Sequence, residues 1–426
     1  MKKQTIHHII MGLLTLLSGY IYALSITVPI SSQPLIPKLP QLNSQQEEEH
    51  ALQYLNSLRQ GAGLIPLKLN KTLNISAKNH ANYLIINNTI GHKEEQSLTG
   101  YTGEYASNRS IKVGYHTPLL IENVSSNNHS YTESIDGLMA AIYHRFAFLD
   151  FRINEIGIAI NQNQRILEKT AYVYNLGNSY LNKLCKNTPI NPNKNEIQNV
   201  CANKYLKITP KAFQIALNTN DKNNSPIVVY PFHEQKNVSP VFYEELPDPL
   251  PNHSVSGFPI SIAFSEKRFK EIKIQSFKLF NAQKKEIHDN IYFTQENDPN
   301  KMLKKFEFVL FPLKRLKWNH QYFVQVIYLE NGIKKEKQWN FHTRKFKYPF
   351  HTVKADTTYS IQKGKKHIFY FPPLSTTDII GSFSYPSYLN ISFIDKNTIQ
   401  LTANKIPKKF IKLKLGKRSL QILVKK

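Results

Sequence analysis

Three short pairs of residues carry the side chains in this chain that are best suited to chemistry. They are Gly91-His92, Glu122-Asn123 and His144-Arg145. Imidazole and carboxylate groups can bind divalent metal ions, and imidazole exchanges a proton near neutral pH. The three pairs are remote from one another along the chain. They predict a polar cleft if folding brings them together.

Two helices are predicted before the first pair. An acidic stretch after Ser44 favours a helix start, and Gly61-Ala62-Gly63 ends that helix. Asn70 is the predicted N-cap of the second helix, and His80 lies among the apolar residues of one face of it. A hydrogen-bonded core histidine is therefore favoured over a ligand at this position.

A third helix is predicted to carry His144. The sequence Ser130-Tyr-Thr-Glu133 has the pattern of a capping box, in which the serine and the glutamate satisfy amide groups at a helix start. Apolar residues at helical spacing then continue to Leu149. In one continuous helix His144 would lie opposite Ile135, because each residue turns the helix by about 100°. It would then face solvent or the wall of a cleft.

Strand-like segments follow these helices. The runs from Ile156 to Ile160 and from Lys169 to Leu176, with a further strand around Leu67, predict helices layered on a small sheet. From Ser225 onwards, short β-rich runs separated by turn residues predict an all-β sandwich. Alternating patterns after residue 346 predict another small β unit.

The order of these motifs resembles the CAP superfamily, the secreted proteins related to cysteine-rich secretory proteins and plant pathogenesis-related proteins. The residues that carry the resemblance are Leu55-Asn56 with Arg59, Leu73 with Ala77 and His80-Ala81, Gly114-Tyr115, the three pairs, and Glu155-Ile156-Gly157. The resemblance implies an α/β/α sandwich. The stretches Glu245-Leu-Pro-Asp-Pro-Leu-Pro251 and Trp339-Asn-Phe-His-Thr343 also resemble bacterial immunoglobulin-like modules attached to CAP domains.

The predicted fold class is α+β, with an N-terminal α/β/α sandwich followed by one or two all-β sandwich domains. The predicted divisions are a signal peptide at 1–25, a linker at 26–43, a CAP-like domain at 44–180, a disulfide-containing connector at 181–224, an immunoglobulin-like β-sandwich at 225–346 and a small basic β domain at 347–426.

The resemblance also implies a ligand set. CAP proteins often carry a cleft with two histidines and two acidic residues, and some bind zinc or a related divalent ion there. His92 and Glu122 match the first two positions, and His144 matches the histidine of a His-Arg pair in bacterial relatives. Tyr172-Val-Tyr174 stands where animal and plant members have a second histidine. Three protein ligands and a water would form an open metal site, and a buried hydrogen-bond network is the alternative.

The sequence favours binding over catalysis. A metal-bound water would need a general base, and Glu133 and Glu155 are the nearby carboxylates in sequence. The chain has no Gly-x-Ser-x-Gly, phosphate-binding glycine loop or His-Glu-x-x-His motif. A non-enzymatic binding module of the cell envelope is therefore predicted, without catalytic residues. The alternatives are a divalent-metal-dependent hydrolase acting on peptide, lipid or cell-wall polymer, and a lipid-binding protein.

The N-terminus predicts export to the periplasm or the extracellular space. Lys2 and Lys3 precede a mostly apolar run from Ile9 to Leu24, and Ala23-Leu24-Ser25 offers a cleavage site. An uncleaved membrane anchor is the alternative, although the run is somewhat short for the roughly 20 residues of a spanning helix. No later segment of the sequence is long and apolar enough to span a bilayer.

Export determines how the two cysteines are interpreted. Cys185 and Cys201 are the only cysteines in the chain, and in an oxidising compartment they are predicted to form a disulfide. A metal-binding pair is the weaker interpretation, because two cysteines alone lack the spacing of a four-ligand site.

The formal net charge of +25 is unevenly distributed. Residues 44–180 carry a net charge of −1, whereas residues 181–345 carry +11 and residues 346–426 carry +12. For an exported protein, this charge favours lipopolysaccharide, acidic phospholipid or wall polymer as partners over nucleic acid. The basic stretch from Lys405 to Arg418 is either a solvated strand face or a contact with such a surface.

Overall fold

The computed structural model describes residues 41–187, 197–416 and 418–426. The predicted signal peptide at 1–25 and most of the predicted linker at 26–43 lie outside the described residues. Within the part of the chain that is described, no helix is both long enough and apolar enough to cross a bilayer.

Seven α-helices occur in the described residues. They are α1 (Ser44–Gly61), α2 (Lys71–Asn87), α3 (Ala106–Lys112), α4 (Tyr131–Ala140), α5 (Ile142–Phe148), α6 (Ser179–Asn187) and α7 (Pro210–Asn218). The side chain of Asn70 accepts hydrogen bonds from the amide groups of Thr72 and Leu73. The prediction of Asn70 as the N-cap of α2 is therefore confirmed.

The N-terminal domain has three layers, as predicted. Its strands are β1 (Lys68–Leu69), β2 (Ile121–Ser126), β3 (Glu155–Gln162) and β4 (Thr170–Gly177). They form one sheet in the order β1-β3-β4-β2, in which β1 and β3 are parallel and the other pairs are antiparallel. Helices α1 and α4 pack on one face of this sheet, and α2 packs on the other.

The alternation of side chains along β3 explains the three layers. Ile156 and Ile158 belong to the core under α1 and α4, whereas Ala159 packs with α2 on the opposite face. Gly157 faces α2, where a Cβ atom would overlap the backbone of Leu73. Small residues on this face therefore allow α2 to approach the sheet closely.

The second domain is a β-sandwich of two four-stranded sheets. Its strands are β5 (Ile227–Tyr230), β6 (Gln235–Val238), β7 (Val241–Phe242), β8 (Ser256–Gly257), β9 (Ile260–Phe264), β10 (Ile272–Phe280), β11 (Asn290–Phe293), β12 (Glu307–Pro312), β13 (Gln321–Glu330) and β14 (Ile333–Thr343). The sheets have the orders β10-β13-β14-β6 and β11-β12-β9-β5, and β7 pairs with β8 outside them.

The third domain contains two smaller sheets around a core of its own. Its strands are β15 (Phe350–Thr352), β16 (Thr358–Gln362), β17 (His367–Tyr370), β18 (Leu389–Asp395), β19 (Thr398–Ala403), β20 (Ile411–Leu415) and β21 (Arg418–Lys425). The sheets have the orders β15-β17-β19-β18 and β16-β21-β20. Phe369, Leu401 and Ile422 lie at the centre of this core.

The first two domains share one hydrophobic core. Leu58 of α1 and Met139 of α4 belong to the same cluster of buried residues as Tyr230 and Phe258 of the first β-sandwich. The core of the third domain is a separate cluster.

A disulfide closes the connector between the N-terminal domain and the first sandwich. Cys185 of α6 is bonded to Cys201, and their Cα atoms are 5.2 Å apart. Val200 and Ile208 pack beside the two sulfur atoms in a small local core. The metal-pair interpretation of these cysteines is therefore wrong, because both thiols are used in the bond.

The segment predicted as the third helix forms two helices, so the condition for placing His144 opposite Ile135 is not met. Ala141 has an extended conformation, with φ −76° and ψ 117°, and it separates α4 from α5. Ser130 caps α4 by accepting from the amide of Glu133, but the carboxylate of Glu133 accepts from the amide of His129 and not from that of Ser130. The break changes the direction of the chain before His144.

Two glycine-to-alanine substitutions should change stability in opposite directions. Gly157→Ala should destabilise the protein by more than about 3 kcal/mol, because the new methyl group meets helix backbone that cannot give way as a side chain could. Gly137→Ala places the same methyl group on the exposed side of α4, where nothing lies within 4 Å. It should stabilise the protein by about 0.5–1 kcal/mol.

Chemical denaturation of both variants measures these differences. Equal changes in the free energy of unfolding would contradict the close approach of α2 to β3.

Candidate functional site

His92 and Glu122 come together on one side of the N-terminal domain. His92 lies in the loop after α2, Glu122 lies on β2, and Nδ1 of the imidazole is 3.0 Å from Oε1 of the carboxylate. The side chain of His92 is 47% exposed, whereas that of Glu122 is only 4% exposed. The imidazole of His92 is therefore accessible to solvent, and the nearly buried carboxylate of Glu122 fixes its orientation.

Arg109 of α3 compensates the charge of Glu122. Its Nη2 atom donates to both carboxylate oxygens, over 2.8 and 2.7 Å. Its Nη1 atom donates to the backbone carbonyl of His92 over 3.0 Å. One fully buried guanidinium therefore holds both the carboxylate and the loop that carries the histidine.

A second buried pair supports the same loop. Nδ1 of His80 lies 2.9 Å from Oε1 of Glu94, and Nε2 lies 2.9 Å from the carbonyl oxygen of Gly91. Glu94 also accepts from the amide of Thr102 over 2.6 Å and lies 3.6 Å from Nε of Arg109. His80 is thus a hydrogen-bonded core histidine, as predicted, and it fixes the residue that precedes His92.

His144 reaches the same place from α5. Its ring is nearly parallel to that of His92, with the two centroids 6.3 Å apart. Its backbone carbonyl accepts from Nδ2 of Asn123 over 2.9 Å, which ties α5 to β2. The structure therefore brings His92, Glu122 and His144 together, although they are distant in sequence.

The carboxylate beside His144 comes from another domain. Oε2 of Glu245, in the segment between β7 and β8 of the first sandwich, lies 3.2 Å from Nδ1 of His144. His92 and His144 each therefore have their Nδ1 atom against a nearly buried carboxylate. In this pattern the carboxylate orients the ring, and Nε2 is the nitrogen available to a ligand.

Asn175 lies beside Glu122 on the neighbouring strand. The two residues face each other in the antiparallel pairing of β2 and β4. With its amide nitrogen directed at Glu122, Asn175 donates to Oε2 over 2.9 Å and accepts from the amide of Ala77 over 3.2 Å. Tyr172 and Tyr174, from the stretch expected to supply the fourth cleft residue, are instead buried in the core under α1.

The environment shifts the pKa values of the site's carboxyl groups in different directions. Burial alone would raise the pKa of Glu122, but the hydrogen bond with His92 and the charge of Arg109 lower it below its usual value. Burial also opposes the low pKa of Glu94, which His80, Thr102 and Arg109 produce. Burial raises the pKa of Glu245, although its hydrogen bond with His144 acts against this.

The carboxylate of the predicted metal site already has hydrogen-bond partners. Both oxygens of Glu122 accept from Arg109, so this carboxylate is already committed. Within residues 41–187, 197–416 and 418–426, no group of three or more His, Cys, Asp or Glu side chains is arranged to hold a metal ion. Zinc binding by His92, Glu122 and His144 stays a prediction, and no chemical step is assigned to a metal.

The two carboxylates considered as general bases are engaged elsewhere. Glu133 accepts from the amide of His129 at the start of α4. Glu155 accepts from the hydroxyl of Tyr115 over 2.6 Å and from Nδ2 of Asn70 over 2.8 Å. Both side chains therefore have structural hydrogen bonds that explain their presence.

Four residues of the site do not follow from the sequence motifs. Arg109 and Glu94 belong to no recognised pattern, and Asn175 lies one position beyond the tyrosines expected to mark the fourth position. Glu245 begins the stretch that resembles an immunoglobulin-like module, but this resemblance says nothing about a contact with His144. For the charged residues among these four, the only general expectation is that a buried charge has a partner.

Comparisons with known proteins agree with the predicted resemblance. Residues 52–175 match the family model described as CAP, the cysteine-rich secretory protein family. The structure is similar to an outer surface protein from Borrelia burgdorferi, with 19% identity, 32% of this chain and 96% of that chain covered, and a TM-score of 0.28.

A second similar structure is an extracellular protein containing an SCP domain from Bacillus anthracis. The identity is 18%, 34% of this chain and 44% of that chain are covered, and the TM-score is 0.28. No curated protein sequence matches the chain. The family-model match confirms the resemblance, and the low TM-scores of these two structures carry no argument about function.

Replacing Glu122 with glutamine should destabilise the protein in a pH-dependent way. At neutral pH the loss should be about 3–5 kcal/mol, because the buried Arg109 loses its bidentate partner and keeps only the 3.6 Å contact with Glu94. The pKa of Glu122 is lower in the folded state, so its stabilising effect is present above the unfolded-state pKa. That effect is lost as the pH falls through the folded-state pKa.

Denaturant unfolding of the wild type and of Glu122→Gln from neutral to acid pH tests this expectation. Glu133→Gln is the matched control, since its carboxylate accepts an amide hydrogen bond in an exposed position and should show a small difference. A difference for Glu122→Gln that is the same at all pH values would contradict the ion pair with Arg109.

Proposed function

Because this chain carries a CAP domain at residues 52–175, we propose that it is an exported, non-enzymatic binding protein of a cell envelope. In this proposal the basic third domain attaches the protein to an anionic surface, and the CAP domain presents the cleft between His92 and His144 to a ligand. The observation that carries the proposal is the outward display of lysines on the third domain.

Strand β20 shows how this display arises. Ile411, Leu413 and Leu415 point into the core of the third domain, and the alternate residues Lys412 and Lys414 are exposed. The preceding turn adds further exposed side chains. They are Lys405, Lys408, Lys409 and Phe410. The strand lies at the outer edge of its sheet, so these cations are accessible to a flat anionic partner.

Export is supported by two independent features. The N-terminal sequence has the charged start and apolar run of a signal peptide. The disulfide between Cys185 and Cys201 is typical of proteins in oxidising compartments. A periplasmic or extracellular site is consistent with partners such as lipopolysaccharide, acidic phospholipid or wall polymer.

The cleft is suited to binding and not to catalysis because both of its carboxylates already have hydrogen-bond partners in the protein. Glu122 is paired with Arg109 and with His92, and Glu245 accepts backbone amides as well as contacting His144. Neither carboxylate is therefore available as a general base, whereas Nε2 of each imidazole can accept a hydrogen bond from a ligand. A lipid ligand, which the superfamily resemblance also implies, stays a prediction.

Charge reversal on β20 should weaken attachment to anionic membranes. Near such a membrane each lysine contributes about 1 kcal/mol, so Lys412→Glu with Lys414→Glu should weaken binding by at least about 30-fold. Lys68→Glu with Lys71→Glu is the matched control, because it makes the same change in net charge at exposed positions of the CAP domain.

Co-sedimentation of the full-length protein with vesicles of phosphatidylglycerol and phosphatidylcholine measures the effect, and lipopolysaccharide micelles form a second arm. Binding should weaken as salt is raised. Wild-type protein that binds neither surface, or equal losses in the two double variants, would overturn the attachment role of the third domain.

A further inference from the structure

We propose that Glu245 of the first β-sandwich is the positioning residue for His144, so that the CAP cleft is assembled by two domains. The inference rests on the proposed function in that it concerns the same cleft. It adds that the CAP domain does not by itself contain what fixes the orientation of its second histidine.

Glu245 makes three contacts with α5 through one carboxylate. Oε1 accepts from the amide of Ile142 over 2.7 Å, and Oε2 accepts from the amide of Tyr143 over 3.2 Å. Oε2 also lies 3.2 Å from Nδ1 of His144, and the Glu245 side chain is 1% exposed. A carboxylate that accepts two amide protons is an acceptor for His144 as well. Nδ1 must then carry a proton, and in the neutral ring Nε2 is the acceptor nitrogen.

The CAP domain supplies no cap of its own for this helix. Ala141 occupies the N-cap position of α5 and makes no side-chain hydrogen bond there. A helix of only seven residues is unstable without external partners, because its nucleation is unfavourable. Glu245 therefore orients His144 in two ways. It contacts the imidazole ring directly, and it accepts from the first amide groups of the helix that carries the ring.

The neighbours of His144 are also held by the β-sandwich. The hydroxyl of Tyr143 donates to a carboxylate oxygen of Asp298. Nη1 of Arg145 donates to the carbonyl oxygen of Pro259 over 2.8 Å. The side chains before and after the histidine thus both contact the β-sandwich, and Nε of Arg145 also donates to the carbonyl oxygen of Met139 within the CAP domain. The backbone carbonyl of His144 is bound to Asn123.

The residues just before Glu245 contact the third domain. The hydroxyl of Tyr243 donates to Oδ1 of Asp395 over 2.8 Å, and Glu244 is paired with Lys396. Nη2 of Arg315 donates to the other oxygen of Asp395 over 2.6 Å. Tyr243 therefore connects the third domain to the segment that carries Glu245, whereas the exposed pair of Glu244 and Lys396 adds little to this connection.

Histidine NMR on the full-length protein tests the proposal. The wild type should show His144 protonated on Nδ1 and a nuclear Overhauser effect between the rings of His144 and His92, with His144→Gln providing the assignment. Glu245→Gln should keep the proton of His144 on Nδ1, because the amide oxygen of glutamine can still accept from it, whereas Glu245→Ala should let the proton move toward Nε2. Glu245→Ala should abolish the contact between the rings.

Glu244→Gln is the matched control, because it is the adjacent glutamate and its side chain is 66% exposed. It should leave the tautomer and the contact between the rings unchanged. A purely structural role for Glu245 would lower stability without moving the His144 proton. If Glu245→Ala keeps the wild-type tautomer, or if wild-type His144 carries no proton on Nδ1, the proposal is wrong.

Vesicle binding by the same variants separates this inference from the proposed function. Both Glu245 variants should bind anionic vesicles like the wild type, because the lysines of β20 are unchanged. Loss of vesicle binding by the wild type would overturn the proposed attachment and leave the NMR result standing.

Discussion

The cleft depends on one buried positive charge, the guanidinium of Arg109. A charge removed from water needs close partners that replace its hydration, and a group of opposite charge does so most strongly. Arg109 has such a partner in Glu122 and lies 3.6 Å from a second carboxylate, that of Glu94. Glu122 in turn holds His92, and Glu94 holds His80. Together with Arg109 of α3, these four residues connect α2, β2 and the loop after α2, so this one side chain specifies how those elements meet.

A second buried arginine performs a comparable task between domains. The guanidinium of Arg145 lies between the rings of Tyr230 and Phe258, 5.0 and 4.9 Å from their centroids. It has no carboxylate among its hydrogen-bond partners, which are carbonyl and hydroxyl oxygens. Desolvation lowers its pKa to about 10, so it remains charged at neutral pH. Aromatic faces and backbone dipoles therefore stabilise the charge and dock α5 on the sandwich.

Much of the N-terminal domain could be predicted because its signals are local. The cap at Asn70, the stripe of α2 and the alternation in β3 each follow from a few neighbouring residues. His92, Glu122 and His144 were grouped correctly because a family resemblance, and not their spacing, related them. The interruption at Ala141 could not be predicted in this way. It is stabilised by Glu245, which is distant in sequence, and no local pattern reports on such a partner.

The common core of the first two domains has a consequence for where this protein can be divided. Similarity to the family ends at residue 175, but the apolar cluster containing Leu58 and Met139 continues into strands that begin at Ile227. A fragment cut at the limit of similarity would expose that surface to water and would tend to aggregate. The cooperative folding unit is therefore longer than residues 52–175, because it also includes the first β-sandwich.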